Sequence, residues 1–501
     1  MPGNGIVHSS ETVVENQPVR IAVIGSGYVG LVVAACFAEI GHTVISVDND
    51  AAKIVDLRQG KVPLYEHFLP ELLQRHYPCR LSFTTFLSDA VARSEAIFIA
   101  VETPSLTNGE ADISYVEQAA EEIEDSINGY KVIVEKSTAP VSTCDSITTV
   151  LLRNRIRPDM FDVASNPEFL REGTGVADFL HPARIIVGTE SERAYALLER
   201  IYWPLTSGQY YKSLFSVQGG RSASYPVPLL RTSTKSAELL KHASNAFLAT
   251  KISFINSVAN VCDAVEADIS EVAQGMGMDP SIGPGFLAAG LGYGGSSIPN
   301  HVRSLRAISS RTGVDFKLLD EVEHINEVQQ SSFLDRVELT LGNLQGKKLG
   351  VLGLSFRGGT DDIRESPAMN VVRSLAAEGC VLTVYDPAAM ENAQRVLPKG
   401  SIAFAENAYQ VMDGADGLLV LTDWDEFVEL DIREIKKRLG TPVVLDGRNI
   451  FDSSEMREMG FTYISVGRPV DVRLPSREIP SVGKHKMRAP LTMPSRSGAV
   501  T

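Results

Sequence analysis

Short apolar runs rich in β-branched residues alternate with helical patterns over two stretches of this chain. In the first stretch we predict strands at Val19–Ile24, Thr43–Asp48, Ala96–Val101, Val132–Glu135 and Arg184–Gly188. In the second we predict them at Lys347–Leu354, Val381–Tyr385, Gly417–Leu421, Pro442–Leu445 and Thr462–Val466. Strands separated by helices build βαβ units with a mostly parallel sheet. The pattern therefore predicts two α/β domains of the Rossmann-like, parallel-sheet kind.

Between the two alternating stretches, apolar residues recur at helical spacing. A long helix is predicted from about Ser236 to Val265, and a second helical region runs to about Leu341. A long central helix thus joins the two α/β domains. Residues 204–232 mix Ser, Gly, Pro and Tyr, which is typical of an irregular surface connection. The ends, 1–18 and 471–501, lack periodicity, and we expect a disordered tail and a flexible tail.

Composition narrows the classes of function. The 501 residues carry a formal net charge of -15, which argues against nucleic-acid binding but not against an anionic ligand held by backbone amides. Five cysteines without CxxC spacing predict neither disulfides nor a metal site, and Cys144 and Cys262 are expected to pack in the core. No signal peptide or membrane-spanning run is evident. We expect a soluble, cytoplasmic protein.

A glycine-rich turn predicts a dinucleotide site. Residues 25–30 read Gly-Ser-Gly-Tyr-Val-Gly between the first predicted strand and a helix, and Asp48 closes the next strand. In such a turn Gly25 permits the tight bend, Gly27 lets the backbone approach a pyrophosphate, and Gly30 lets helix and strand pack closely. The helix N-terminus supplies amide hydrogens for the phosphates. Asp48 accepts hydrogen bonds from a ribose and repels a 2′-phosphate, so NAD is favoured over NADP.

Further ordered motifs carry a family resemblance. In the first half they are residues 101–105 (Val-Glu-Thr-Pro-Ser), 135–140 (Glu-Lys-Ser-Thr-Ala-Pro), 166–173 (Asn-Pro-Glu-Phe-Leu-Arg-Glu-Gly) and 237–241 (Ala-Glu-Leu-Leu-Lys) with Asn245. In the second half they are 353–357, 360–367, 385–387, 422–424 and 446–448. With the glycine turn, this set resembles the UDP-glucose and GDP-mannose dehydrogenase family over roughly residues 19–468.

The resemblance implies an organisation and a reaction. It implies an NAD-binding domain at 19–215, a central helical dimerisation domain at 216–340 and a UDP-binding domain at 341–470. Members oxidise the 6-hydroxyl of a nucleotide sugar to a carboxylate in two hydride transfers that consume two NAD. The substrate expected here is UDP-glucose or a related UDP-sugar. Because family sites borrow residues across subunits, we expect a homodimer or a higher homo-oligomer.

The resemblance also assigns residues. The predicted catalytic residues are Ser297, Lys241, Asn245, Thr138, Glu172 and His301. Those predicted to bind the cofactor are Gly25, Gly27, Tyr28, Val29, Gly30, Asp48, Lys53, Thr103, Thr138 and Arg364. Those predicted to bind the substrate are Glu168, Phe169, Leu170, Glu172, Lys241, Asn245, Phe286, Leu287, Gly294, Phe356, Arg357 and Arg448. Lys241 would stabilise oxyanion character, and Arg448 would reach the substrate of a neighbouring subunit.

One segment departs from the family pattern. Where the family normally reads Gly-Gly-Ser-Cys-Leu-Pro-Lys-Asp, residues 294–301 read Gly-Gly-Ser-Ser-Ile-Pro-Asn-His. The nucleophile position thus holds Ser297, followed by Asn300 and His301, and Ser281 stands where an arginine is usual. A thiolate forms readily near neutral pH, whereas a serine hydroxyl needs an adjacent base. His301 is such a base if the segment is helical.

Three hypotheses follow from this departure. The chain still makes a uronic acid, more slowly or through a hydrated aldehyde held by Lys241 and Thr138. It stops at the aldehyde or acts on a different nucleotide sugar. Or it binds nucleotide sugar and NAD without turnover, as a regulatory or assembly partner. The intact dinucleotide motif favours a working dehydrogenase.

Overall fold

The computed structural model describes residues 17–104, 106, 111–153, 156–213, 216–217, 226–398 and 400–469. All but the last two residues of the predicted N-terminal tail, and all of the predicted C-terminal tail, lie outside this range.

The first domain is built on a mostly parallel sheet. Within the described residues its eight strands are β1 (Arg20–Ile24), β2 (Thr43–Val47), β3 (Leu81–Thr84), β4 (Ala96–Ile99), β5 (Lys131–Glu135), β6 (Phe161–Ser165), β7 (Ile185–Gly188) and β8 (Leu229–Thr232). Their order is β3-β2-β1-β4-β5-β6-β7-β8, and only the β6–β7 pairing is antiparallel. The chain reverses its direction of winding between β1 and β4, where open α/β sheets bind ligands.

Helices cover both faces of this sheet. They are α1 (Tyr28–Glu39), α2 (Ala51–Arg58), α3 (Leu69–His76), α4 (Leu87–Arg93), α5 (Ser114–Glu124), α6 (Thr143–Arg153), α7 (Gly175–Leu180) and α8 (Glu192–Thr206). Residues 30–38 of α1 are all buried, which explains why its sequence is apolar on every side.

The second domain repeats the arrangement with six strands in the described residues. They are β9 (Lys348–Leu352), β10 (Val381–Tyr385), β11 (Ile402–Phe404), β12 (Gly417–Val420), β13 (Val443–Asp446) and β14 (Thr462–Ser465). The order β11-β10-β9-β12-β13-β14 is that of a dinucleotide-binding sheet, with every pairing parallel. Its helices are α13 (Pro367–Ala377), α14 (Met390–Val396), α15 (Asp425–Val428), α16 (Ile432–Arg438) and α17 (Ser453–Glu458). The predicted fold class is confirmed.

Four helices lie between the sheets: α9 (Thr234–Val265), α10 (Ile269–Gly277), α11 (Ser297–Arg311) and α12 (Lys317–Leu341). At 1.5 Å per residue, the 32 residues of α9 extend about 48 Å. The Ser233 side chain caps its first turn by accepting from the Ser236 amide at 3.2 Å. A shared core, including Ala249, Val302 and Val322, fastens α11 and α12 against α9. The predicted long central helix is confirmed.

The sequence missed four strands and mistook one segment. β3, β6, β8 and β11 were not predicted, and β8 lies inside the stretch 204–232 that was expected to be irregular. That expectation was wrong at both ends, because α8 continues to Thr206. β8 is a partly exposed edge strand, and its pairing with β7, rather than an apolar run, makes it a strand.

None of the helices in the described part of the chain combines the length and apolarity that a membrane span requires.

Candidate active site

The glycine turn lies between β1 and α1. Gly25 has φ +98°, and a Cβ there would come within 2.4 Å of the Ala100 carbonyl oxygen, so only glycine fits. A Cβ on Gly30 would meet the Gly25 carbonyl oxygen at 1.9 Å, which explains the close approach of helix to strand. Beside Gly27 there is nothing within 4 Å of the Cβ position. That open approach fits a pyrophosphate at the N-terminus of α1.

Asp48, directly after β2, is held against this turn. Its carboxylate accepts from the Ser26 amide at 2.8 Å, the Asp50 amide at 3.0 Å and the Lys53 ammonium at 2.9 Å. Burial opposes ionisation of Asp48, but these hydrogen bonds outweigh it and lower the pKa of the carboxyl group. The predicted cofactor residues Lys53 and Asp48 are therefore brought together, with a fixed negative charge at the end of β2.

Other predicted cofactor residues meet at the ends of β4 and β5. The Thr103 hydroxyl donates to the Thr138 carbonyl oxygen at 2.5 Å, joining the loops that follow these neighbouring strands. The Tyr28 hydroxyl lies 2.6 Å from a Glu66 carboxylate oxygen and 2.8 Å from the Arg171 carbonyl oxygen, either of which can accept its one hydrogen. Val29 packs against the core of the domain.

Lys241 lies on the buried face of α9 and forms an ion pair with Glu168. The Lys241 Nζ–Glu168 Oε1 distance is 2.9 Å, and the two side chains are 5% and 7% exposed. The other Glu168 oxygen accepts from the Leu170 amide at 2.5 Å, and the ammonium lies 5.2 Å from the centre of the Phe169 ring. Predicted catalytic and substrate residues thus surround one buried ammonium group.

One turn further along α9, Asn245 contacts the first residue of α11. The Asn245 Nδ2 donates to Ser297 Oγ at 3.2 Å. Gly294 and Gly295 lead into this helix, and both are enclosed by the second domain. A Cβ on Gly294 would lie 2.3 Å from the Glu365 carbonyl oxygen, and a Cβ on Gly295 would touch the Phe356 ring at 2.9 Å. The glycines therefore let Ser297 lie between α9 and the second domain.

Glu172 connects the first domain to the second. Its carboxylate accepts from Arg364 at 3.1 Å and from the Ser296 hydroxyl at 3.3 Å, while its carbonyl oxygen accepts from Arg357. The Arg364 guanidinium also donates to the Asp362 carboxylate through three hydrogen bonds of 2.8–3.0 Å. Burial, then the nearby Asp362 carboxylate, raise the pKa of Glu172 to about 8, although Arg364 opposes them.

The remaining predicted substrate residues lie in the loop before α11 and directly after β13. Leu287 is buried and Phe286 precedes it with φ 65°, both in the loop between α10 and α11. Arg448 follows β13, and its guanidinium donates to the carbonyl oxygens of Leu421, Gly292 and Phe356. These donors are used within the chain, and the assignment of Arg448 to a neighbouring subunit's substrate stays a prediction.

His301 lies on α11, so the segment is helical as the base hypothesis requires. Its Nδ1 lies 3.0 Å from Nδ1 of His242 on α9, and both rings are fully buried. Sequence reasoning missed His242, although it stands beside Lys241 on the face of α9 that helical periodicity buries. It also missed Asp362 as a site residue, although Asp362 lies in the 360–367 motif, two residues before Arg364.

The sheet order, the glycine turn and the buried cluster define a dinucleotide-dependent dehydrogenase with a second, nucleotide-binding type of α/β domain. Three domain profiles of one family match the chain in order. They are the NAD binding domain (residues 19–206), central domain (235–328) and UDP binding domain (350–453) of the UDP-glucose/GDP-mannose dehydrogenase family.

Individual dehydrogenases are also similar to this chain over most of its length. UDP-glucose 6-dehydrogenase TuaD of Bacillus subtilis (strain 168) is 41% identical over 451 residues, which cover 90% of this chain and 93% of that protein. UDP-glucose 6-dehydrogenase of Rhizobium meliloti (strain 1021) is 40% identical and covers 90% of this chain and 100% of that protein. The solved structure of a UDP-glucose dehydrogenase from Pyrobaculum islandicum has 35% identity and a TM-score of 0.80, covering 91% of this chain and 99% of that one. The chain belongs to the UDP-glucose/GDP-mannose dehydrogenase family.

Proposed function

We propose that this protein oxidises UDP-glucose at C6 to UDP-glucuronate, using two molecules of NAD. The main support for this proposal is that relatives named as UDP-glucose 6-dehydrogenases are 38–41% identical to this chain over 90% of its length. The buried contacts of Lys241 with Glu168 and of Asn245 with Ser297 supply a polar site where a sugar C6 would react.

NAD is the proposed cofactor. The open space at Gly27, the N-terminus of α1 and the ionised Asp48 at the end of β2 fit a dinucleotide with a free 2′-hydroxyl. A 2′-phosphate would meet the Asp48 charge, which favours NAD over NADP. When bound, NAD accepts a hydride from C6 at each of the two oxidation steps. We assign the contacts to the remaining predicted cofactor residues as well, with Thr103 and Thr138 beside the nicotinamide end.

The residues of the site have different proposed roles in the reaction. Lys241 would stabilise negative charge that develops on the C6 oxygen, because a buried ammonium acts in a low-dielectric surrounding. Its ion pair with Glu168 holds it on the site side of α9. Asn245 orients Ser297 through the 3.2 Å hydrogen bond, and Thr138 positions water or the sugar. Glu172, with Arg357 and Arg364, ties the second domain to this site.

We further propose that the protein acts as a homodimer or larger homo-oligomer. Large apolar side chains are at least 40% exposed along α9: Leu239, Phe247, Phe254, Val261 and Val265. A stripe of this kind on a long helix is typical of a surface that a second copy covers. The five cysteines are unpaired and four are buried, which supports a reducing, cytoplasmic location.

The test of the proposed function is NADH formation at 340 nm with UDP-glucose and NAD. We expect turnover with UDP-glucose, a lower rate when NADP replaces NAD, and little or no rate with GDP- or TDP-sugars. Light scattering of the same sample would give the mass of a dimer or larger assembly, and Phe254→Asp would shift it toward the monomer. No NADH from any nucleotide sugar, with NAD still bound, would overturn the proposal.

A further inference from the structure

Two fully buried histidines, His242 and His301, meet edge to face between α9 and α11, with their planes inclined at 64°. His301 Nδ1 is 3.0 Å from His242 Nδ1, and His242 Nε2 is 2.9 Å from the carbonyl oxygen of Ala139, the residue after Thr138. The fourth ring nitrogen, His301 Nε2, has no hydrogen-bond partner among the described residues. Burial lowers the pKa of both rings, that of His301 well below its ordinary value, so both are neutral at neutral pH.

The chain of contacts determines which nitrogens carry hydrogen. A carbonyl oxygen only accepts, so His242 Nε2 must hold the hydrogen that it donates to Ala139. A neutral imidazole has one N–H, which leaves His242 Nδ1 as an acceptor. His301 Nδ1 must then donate to it, and His301 Nε2 is left with a free lone pair. The unpartnered buried atom is therefore a base.

This base is on the same helix face as the candidate nucleophile. Ser297 and His301 are four residues apart in α11, the spacing at which side chains lie above one another. Ser297 Oγ accepts from Asn245 Nδ2 at 3.2 Å, so its own hydrogen remains to be donated. The structure has no hydrogen bond between the two, and such catalytic contacts often tighten only when substrate is bound.

We propose that His301 is the general base for Ser297, accepting its proton at Nε2, and that His242 is a positioning residue that fixes the tautomer of His301. The inference rests on the proposed oxidation of UDP-glucose and concerns its second half. His301 is then the adjacent base that the Ser297 hydroxyl needs in order to act as a nucleophile.

The proposed second oxidation proceeds through an ester between Ser297 and the sugar. Ser297 Oγ forms a bond to C6 of the aldehyde while its proton moves to His301 Nε2, giving a hemiacetal whose oxyanion faces Lys241. Loss of a hydride from C6 to NAD oxidises the hemiacetal to a serine ester. His301 then passes its proton to a water that enters the site and takes one from a second, attacking water. That attack breaks the ester, returns the proton to Ser297 Oγ and frees the acid, which ionises to UDP-glucuronate.

His301 Nε2 is one of seven side-chain nitrogen and oxygen atoms in the described residues that are buried without a hydrogen-bond partner. Leaving such an atom unpaired is unfavourable, and unsatisfied buried groups concentrate where chemistry uses them. An apolar pair would fill the same space between the helices without that cost.

The tautomer is tested directly by nitrogen-15 spectra of the histidine rings in the full-length protein. His301→Gln and His242→Asn assign the signals. We expect His301 to carry its hydrogen on Nδ1 in the unsubstituted protein and to change tautomer in His242→Leu. A hydrogen on Nε2 of His301 in the unsubstituted protein would overturn the inference.

The reaction is tested with the chemically prepared 6-aldehyde of UDP-glucose as substrate, followed by NADH. His301→Gln should slow this step about 10²–10⁴-fold, the range of general-base catalysis. In the Ser297→Cys background the loss should be at least tenfold smaller, because a thiol forms its thiolate without a strong base. His242→Leu should slow the step in the serine enzyme only, and His242→Asn, which keeps an acceptor, should recover much of the rate.

His42→Gln is the matched control. Like His242, His42 is buried and bonded through both ring nitrogens, but it lies in the first domain. It should leave the ratio of the two half-reactions unchanged. Equal losses for His301→Gln in the serine and cysteine backgrounds would overturn the inference while the proposed function stands. Absence of NADH from both UDP-glucose and the aldehyde in the unsubstituted protein would overturn both.

Discussion

Lys241 illustrates how one residue serves stability and chemistry at once. Its ammonium and the Glu168 carboxylate are both almost fully buried at 2.9 Å. Removing one member of a buried pair leaves an uncompensated charge, whereas removing both does not. The same two side chains are proposed to act on the sugar, so the two contributions are separable by substitution.

We predict that Lys241→Met lowers the free energy of unfolding by about 3–5 kcal/mol. Adding Glu168→Gln should recover most of that loss but none of the NADH formation. Urea unfolding and the 340 nm assay measure the two quantities on the same samples. Full activity in the double variant would contradict the proposed role of Lys241.

Glu172 should make stability depend on pH. Because burial and Asp362 raise its pKa to about 8, the protonated form is favoured in the folded state. The stability that this contributes is present below the ordinary glutamate pKa and is lost as the pH rises through about 8. Glu172→Gln keeps a donor toward Asp362 and removes the titration. We expect the melting temperature of this variant to rise relative to the unsubstituted protein between pH 5 and 9, and a constant difference would contradict the assignment.

At the residue scale, the sequence predicted which side chains cluster but not how they bond. Lys241, Asn245, Ser297 and Glu168 were predicted for one site, and the structure pairs Lys241 with Glu168 and, one turn along α9, Asn245 with Ser297. The His242–His301 contact was not predictable, because it depends on the packing of α9 against α11. Their roles in catalysis stay predictions.

At the element scale, the turn between β1 and α1 offers a matched pair of substitutions. Gly27 has φ -72°, which any residue adopts, and open space at its Cβ position. A Cβ on Gly30, in contrast, would lie 1.9 Å from the Gly25 carbonyl oxygen. We therefore expect Gly27 to be needed for the ligand and Gly30 for the fold.

We predict that Gly27→Ala leaves the melting temperature unchanged but weakens NAD binding about tenfold or more, since the methyl group occupies the pyrophosphate approach. Gly30→Ala should instead cost about 1–3 kcal/mol or more of stability through overpacking. Calorimetric titration with NAD and thermal unfolding distinguish them. Unchanged NAD affinity in Gly27→Ala would place the cofactor elsewhere.

The elements with strong apolar patterns were predictable, and the weakly patterned ones were not. All ten predicted strands exist, and most of them are buried runs within sheets that are mostly parallel. β8 and β11 are short, partly exposed edge strands with little periodicity. Their identity comes from neighbours distant in the chain, which no local window contains.

At the scale of the whole molecule, the two α/β domains touch through glycines. A Cβ on Gly173, which has φ +86°, would lie 1.6 Å from the Gly359 carbonyl oxygen. Glu172, the residue before Gly173, accepts hydrogen bonds from Arg357 and Arg364 of the second domain. The backbones must therefore approach closely for this contact to form.

We predict that Gly173→Ala lowers both stability and NADH formation, because it forces the domains apart. Gly60→Ala is the control, since Gly60 has a similar φ of +79° and open space beside it. It should show only the strain of a left-handed alanine, about 1–2 kcal/mol, with normal activity. Equal behaviour of the two variants in thermal unfolding and in the 340 nm assay would contradict a role for this contact.

The measurement that bears most directly on the proposed function is the amount of NADH formed per UDP-glucose consumed by the unsubstituted protein. With Ser297 as nucleophile and His301 as its base, both oxidations proceed and the ratio should be two, as it should be for Ser297→Cys. A ratio of one in the unsubstituted protein, restored to two in Ser297→Cys, would show that the serine halts the reaction at the aldehyde and would contradict the account.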